Sequence, residues 1–420
     1  MVFKINLKFD NILAFNTSSL YFIYLVNFLI SIIILPKLIS NYGINKWGEI
    51  TFCQIIINYF IWIIDWSFPQ VACKAISINE ENKNKRSDIF KTTRTAQLIL
   101  LIISSILICF YGLLFSGHKL VFIYANLILI GNFLQSYWYL NGREKIYESA
   151  IFQLLNKIIF TFLVFNFINS RSNISNYFLF LGIASITTGI LCSLRIIYRY
   201  KEKFRIVKIQ KAFDLIKASS MLFNSSIIGN LTTSFIPFII GSYYSLDQLG
   251  IYNIADRIKN IAIQVINPLS HSIFPRMSKK YSINKIEGNK KFIKLILSIS
   301  FIGILILILL NLNINFVISY FSKENISEIR GILKILSLSF LINIIYESFI
   351  NHYLVINSLY KEINKTKLLI LFSSIIFGLP LVFFKGIYGA ALTNLIYEII
   401  GLIFVIITYQ KTKDKIYLIE

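Results

Sequence analysis

Charged residues are scarce in this chain: 15% of its 420 residues are Asp, Glu, Lys or Arg, where soluble globular domains carry roughly a quarter. With 56% hydrophobic residues, that shortage argues against a water-soluble globular protein. Cysteine is also sparse. Cys53, Cys73, Cys109 and Cys192 all fall in apolar stretches, with no CxxC pair and no Cys/His cluster at ligand spacing. They read as small buried hydrophobes, and neither a disulfide framework nor a metal site is expected. No GxSxG, P-loop, HExxH or paired-acid motif occurs. The chain is expected to be no enzyme and to hold no cofactor. Acids are the rarer charge, 20 against 42 Lys and Arg, for a formal +22. On a soluble protein that excess would point to nucleic acid. Here its distribution argues otherwise.

What the chain has in abundance is long apolar runs. They fall at about 18–40, 48–73, 93–115, 120–140, 147–168, 174–197, 218–242, 250–274, 292–313, 331–356, 366–384 and 387–409, each long enough to cross a hydrocarbon core about 30 Å thick. Helix is the open-ended element that satisfies its own backbone in lipid. The expected fold is all-α: a polytopic integral membrane protein of twelve transmembrane helices in two six-helix lobes around a central cavity. The lobes are residues 1–197 and 218–420, joined by a basic linker over 198–217. Placing the connections on alternate sides, with charges near the run ends counted with them and Lys157, Arg257, Lys259 and Lys334 left within runs, puts 31 Lys and Arg on one side and 7 on the other. Since cytoplasmic loops collect Lys and Arg, both termini are expected in the cytoplasm of a multi-pass cell (inner) membrane protein. The opening MVFKINLKFDNILAFN is too weakly apolar for a cleaved signal. It is expected to lie along the inner surface as a short amphipathic helix.

An internal repeat fits the division. Residues 36–50, PKLISNYGINKWGEI, resemble residues 237–252, PFIIGSYYSLDQLGIY, with offsets of 201 between Pro36 and Pro237 and 202 between Gly48 and Gly250. Transporters are commonly built from two such repeated bundles with the site between them.

Four segments carry a family resemblance: IIDWSFPQVACKAIS at 63–77, LIGNFLQSYWYLNGREKIYESA at 129–150, SLDQLGIYNIADRIKNIAIQVINPLSHSIFPRMSK at 245–279 and GIYGAALTNLIYEI at 386–399. Together they resemble the Wzx-type O-antigen and polysaccharide flippases, the oligosaccharide flippase family of the multidrug/oligosaccharidyl-lipid/polysaccharide exporter superfamily. Trp66 and Ser67 depart from the family pattern, which usually shows another residue and then Gly there. The resemblance implies a two-lobed transporter that moves an undecaprenyl-pyrophosphate-linked oligosaccharide from the cytoplasmic to the outer leaflet. Implied partners are the lipid bilayer and that sugar substrate, with a polysaccharide polymerase and assembly proteins as further candidates and no nucleic acid.

Ionisable groups inside spans are the candidate site, because burying them without function is costly. Lys157, midway along the fifth span, reads as a cationic contact for the pyrophosphate or sugar, or as a lysine reaching along its stem to water or a carboxylate. Arg257 in the eighth span offers a planar fork suited to phosphate oxygens and matches the family's basic position. Lys259 reads as a substrate contact or as part of the outer mouth. Asp65, Glu347 and Glu398 read as ion-coupling acids or structural ion pairs. His271 and His352 read as packing residues or a proton relay, and Gln135 as a sugar contact or a packing residue. Pro36, Pro69, Pro237 and Pro268 lie in corresponding spans of the two halves and are the expected hinges.

Two other readings compete. One is a multidrug or small-solute exporter on the same scaffold, which would be expected to carry an acid matched to cationic drugs. The other is a membrane glycosyltransferase or polymerase. The longest external connection, about 314–330, offers that chemistry only Glu324 and Glu328.

Overall fold

In the computed structural model the backbone is described for residues 2–114 and 117–417, and side chains for residues 26, 29, 30 and 32–413 except 115, 116, 225, 268, 269, 271, 272, 275 and 282. Among these residues there is helix and no strand. The helices are α1 (Val2–Asp65), α2 (Phe68–Ile78), α3 (Lys83–Leu114), α4 (Lys119–Leu134), α5 (Tyr137–Gly142), α6 (Ile146–Phe167), α7 (Ile174–Tyr200), α8 (Ile209–Tyr243), α9 (Leu246–Ile283), α10 (Lys285–Leu312), α11 (Ile314–Phe321), α12 (Ile326–Phe349) and α13 (Tyr360–Tyr417). A single π-turn, Ile350–Leu354, continues α12. The expected amphipathic surface helix over residues 1–16 falls on side chains outside the described residues.

At 1.5 Å per residue the 64 residues of α1 would span about 96 Å, far more than a bilayer core. The helix is broken at Gly43, where φ 74 and ψ 171 leave helical space. Likewise α13, 58 residues long, breaks at Gly386 with φ 56 and ψ −135. Positive φ costs glycine little, which makes both positions natural corners. Among the described residues eight helices are long and apolar enough to cross a membrane, or nine when the bent pair Ile209–Asn224 and Ser226–Tyr243 counts as one span. The difference from the expected twelve has two sources. Ile32–Ile78 and Tyr360–Lys413 each run through a pair of the expected spans without a loop, and α9, which carries Asp256, Arg257 and Lys259, is not among the helices that qualify.

The surface is the reverse of a soluble protein's. Ile102, Ile103, Ile106, Leu107 and Phe110 on α3, and Leu297, Phe301, Ile304, Leu305 and Ile308 on α10, are all exposed. Water would penalise such faces, whereas hydrocarbon accepts them.

The chain divides into two compact units: residues 1–42 with 53–227, and residues 43–52 with 228–420. In the first, α4 lies against α7 at glycine contacts, where a Cβ on Gly131 would meet Ser185 at 2.5 Å and one on Gly189 would meet Leu134 Cβ at 2.6 Å. Small residues at such crossings let backbones approach in lipid. In the second, Phe292, Phe349, Tyr353 and Tyr409 form a ring cluster with centroids 4.7–5.7 Å apart.

The ten residues 43–52 join the second unit through bare backbone. A Cβ on Gly48 would lie 1.7 Å from the Leu246 carbonyl oxygen, and one on Gly250 would lie 2.3 Å from that of Ile44. These two contacts are related by the same offset of 202 that relates the glycines themselves. Trp47 Nε1 donates to Asn253 Oδ1 at 3.1 Å beside them, and Phe52 stacks on Phe238 at 5.7 Å.

A methyl group cannot enter this crossing without moving backbone. Gly48→Ala should lower stability by about 1–3 kcal/mol, seen as a lower thermal midpoint of the detergent-solubilised protein. Gly229→Ala, where the added carbon meets nothing within 4 Å, should leave the midpoint unchanged or slightly raised through helix propensity. Equal midpoints for the two variants would contradict the close approach.

Candidate functional site

In the second unit, polar residues at helical spacing on three helices converge. Lys259 is buried on α9, with Nζ 2.8 Å from Asp256 Oδ1, and donates to Asn394 Oδ1 at 3.4 Å. The same Asn394 oxygen accepts the Ser339 hydroxyl, and Asn394 Nδ2 donates to the Tyr397 hydroxyl at 2.6 Å. One turn along α13, Glu398 accepts from Asn343 Nδ2 at 2.8 Å. Asp256 also takes a bond from Asn260 Nδ2 at 2.9 Å. Each helix contributes residues three or four apart, which share a face: 256, 259 and 260 on α9, 339 and 343 on α12, 394, 397 and 398 on α13. Asp256, Lys259, Asn394, Ser339 and Tyr397 thus form a network that ties the three helices together. Among the candidates, Lys259 lies within it, and Glu398 lies one turn along α13 in its own bond to Asn343.

Arg257 is outside the network. It lies about 200° around α9 from Lys259, is exposed, and has no ion-pair partner among the described residues. Glu347 is exposed on α12 and accepts from Asn351 Nδ2 at 3.3 Å. His352 is buried in the π-turn, with Nε2 2.8 Å from Ser270 Oγ. His271 lies outside the described side chains.

In the first unit Lys157 is half-buried midway along α6, with its carbonyl accepting from Thr161 Oγ1 at 2.6 Å. The neighbouring Asn156 reaches Thr188 on α7 at 3.1 Å, and Gln135, where α4 ends, donates to both Thr188 Oγ1 and the Ser185 carbonyl at 3.1 Å. Gln135 is therefore engaged in helix packing. Asp65 closes α1 and is hydrogen-bonded by the Asn132 side chain. Immediately after it, Trp66 adopts φ 50 and the helix breaks.

That break has a grip on α8. Trp66 Nε1 donates to the Ile216 carbonyl at 3.1 Å, the indole stacks on Phe223 at 3.8 Å and 6°, and Ser67 Oγ donates to the Ser219 carbonyl at 3.0 Å. The two residues that depart from the family pattern are the two that hold α8. Of the candidate hinges, Pro36 lies inside α1 and Pro237 inside α8. Pro69 instead sits in the first turn of α2, where no intrahelical hydrogen bond is lost. Pro268 lies outside the described side chains.

Other charged clusters were not anticipated from sequence. Glu148 accepts from Arg195 at 2.9 Å and from the Tyr147 and Tyr200 hydroxyls at 3.0 and 2.9 Å, with Arg199 3.7 Å away. Arg86 pairs with Glu202 at 3.1 Å, and Tyr139 donates to the same carboxylate at 2.8 Å. Arg94 is buried with its guanidinium 3.7 Å over the Phe133 ring and bonded to the Phe133 carbonyl. The signal was the rarity of acids: with 20 of them in the chain, each one near an apolar run needs a cation. Among the described residues no group of three or more His, Cys, Asp or Glu could hold a metal ion.

Comparison with known proteins adds the context. The family model described as "Polysaccharide biosynthesis protein" matches residues 13–281. A protein of Escherichia coli (strain K12) named "Putative O-antigen transporter" is 24% identical over 281 residues, 66% of this chain and 68% of that one. A protein of the same name from Shigella dysenteriae is 22% identical over 269 residues, 63% and 67% of the two chains. Among solved structures, the lipid II flippase MurJ in an inward closed conformation superposes with a TM-score of 0.77 at 16% identity, covering 94% of this chain and 87% of that one. An inward-facing multidrug resistance MATE family transporter of the MOP superfamily gives 0.61 at 14% identity, covering 93% and 96%. These similarities show the fold.

The buried network carries a stability prediction. Lys259→Ala removes the cation paired with Asp256 among the described residues and should cost about 3–5 kcal/mol, and adding Asp256→Asn should recover most of the lost thermal midpoint. Arg257→Ala, on the exposed face, should change stability by no more than about 0.5 kcal/mol. Equal losses from Lys259→Ala and Arg257→Ala would sink the pairing account.

Proposed function

The chain belongs to the polysaccharide biosynthesis protein family, and from that premise we propose that it flips an undecaprenyl-pyrophosphate-linked oligosaccharide, an O-antigen or other surface polysaccharide repeat unit, from the cytoplasmic to the outer leaflet by alternating access. It is a multi-pass membrane transporter and not an enzyme. We further assign it twelve crossings with both termini in the cytoplasm, the arrangement that places 31 basic residues inside and 7 outside.

Such a cargo has a tail that is at home in lipid and an anionic head that is not. Carrying the bare head through hydrocarbon costs many kcal/mol, so the transporter must offer it a polar, partly cationic route. The observation that carries the reading is Arg257, a guanidinium exposed on α9 with no acid partner among the described residues, while Lys259 two positions on is already neutralised. Its fork can take two phosphate oxygens at once. Lys157 on α6 is the second cation assigned to the route. With the cell interior negative, outward movement of the anion is downhill by about 2.3 kcal/mol per charge per 100 mV, so the direction needs no bond to be broken.

The glycine contacts support alternating access. Faces that meet through backbone at Gly48 and Gly250 can part and rejoin with little repacking of side chains, and Pro36 and Pro237 supply weak points in the adjoining helices. The multidrug exporter reading shares this scaffold, but an exposed Arg257 would repel the cationic compounds it requires.

Reconstitution into liposomes with a lipid-linked oligosaccharide, with its exposure measured on each leaflet, tests the proposal. Wild type should move the lipid, and Lys157→Ala and Arg257→Ala should each slow it by tenfold or more. Wild-type rates in both variants would remove the assigned contacts. Expulsion of organic cations without lipid movement would replace the flippase reading with the exporter.

A further inference from the structure

The eight residues between α7 and α8 form an extended strap with an unusual composition. Glu202 turns inward, fully buried, against Arg86 at 3.1 Å and the Tyr139 hydroxyl at 2.8 Å. Val207 is fastened five residues later, its N–H donating to Thr95 Oγ1 at 3.2 Å. Both anchors lie on or against α3, so the strap runs along that helix. With its sole acid buried, everything charged that it presents is positive: Lys201, Lys203, Arg205 and Lys208 are exposed, and none has an ion-pair partner among the described residues. Large apolar side chains alternate with them or follow directly: Phe204, Ile206, Ile209 and Phe213 are 44%, 60%, 60% and 51% exposed.

Neither water nor hydrocarbon suits this surface. In water four large apolar groups would be left uncovered, and in the bilayer core four cations would be unpaired. The combination fits the boundary between the two, where cations meet lipid phosphates and the apolar groups enter the acyl region. The strap joins two membrane-length helices, α7 and the bent α8, which places it at that depth.

We propose that residues 201–213 are a docking surface for the anionic head groups of bilayer phospholipids, fixed in place by Glu202 and Val207. The occupant is bulk anionic lipid rather than the transported one, because the surface is a row of separate cations along an irregular segment and not an enclosed pocket. The proposal stands independently of what the protein transports.

Amine footprinting of the unmodified full chain tests it. The protein is placed in nanodiscs of phosphatidylcholine alone or with phosphatidylglycerol, and lysine acetylation rates are read by mass spectrometry. At a surface each such cation gains roughly a fivefold preference for anionic lipid. Lys203 and Lys208 should therefore acetylate about fivefold more slowly with phosphatidylglycerol present, and high salt should abolish the difference. Lys323, exposed beside Glu324, should react alike in both discs. Equal rates for Lys203 and Lys208 in the two discs would overturn the proposal, as would a slowing shared equally by Lys323. Since the readout involves no flipping, a chain that moves no lipid-linked sugar can still pass or fail it.

Discussion

Every charge placed among apolar helices in this protein has to be answered from within the protein. Water is not at hand to solvate it, and an unanswered ion in hydrocarbon costs more than the whole stability of a typical domain can absorb. The architecture follows from that condition. Glu148 gathers two arginines and two tyrosine hydroxyls, Glu202 takes Arg86 and Tyr139, and Asp256 holds Lys259. Each pairing joins elements distant in sequence or consecutive turns of one helix, so solving the charge problem also fixes which helices lie together.

Against that background an exposed cation without a partner stands out. Arg257 and the cations of the 201–208 strap are among the exposed groups that the chain's own acids leave unanswered among the described residues. Lys259, two residues from Arg257, shows the contrast: same helix and same sign, but turned through about 200° onto the face where Asp256 and Asn394 wait. Helical phase separates a residue that holds the unit together from one left available to an anion.

The helical, membrane-spanning character was legible in the sequence because lipid demands long apolar runs and tolerates little else. The Gly48 and Gly250 pattern was visible for a related reason, since a backbone crossing admits no other residue and leaves a bare glycine in both halves. The Asp256 and Lys259 pair was within reach at spacing three. What sequence could not show were partners far along the chain. Trp66 and Ser67 look like simple deviations until Ile216, Ser219 and Phe223 come beside them. Asn394 meets Lys259 across 135 positions. Nor could apolar runs reveal that α1 and α13 each turn a corner at one glycine instead of through a loop, because a run records length and not direction.

The excursion of residues 43–52 into the second unit bears on how such a chain can be divided. A cut in the connection between α7 and α8 looks like a clean way to obtain two half-proteins, yet the latter half would then be missing a piece of its own packing. Its Gly250 would face solvent or lipid where the Ile44 backbone belongs. The two halves are consequently not interchangeable modules: recombination that swaps one for a relative's must also match a ten-residue insert encoded about two hundred positions upstream.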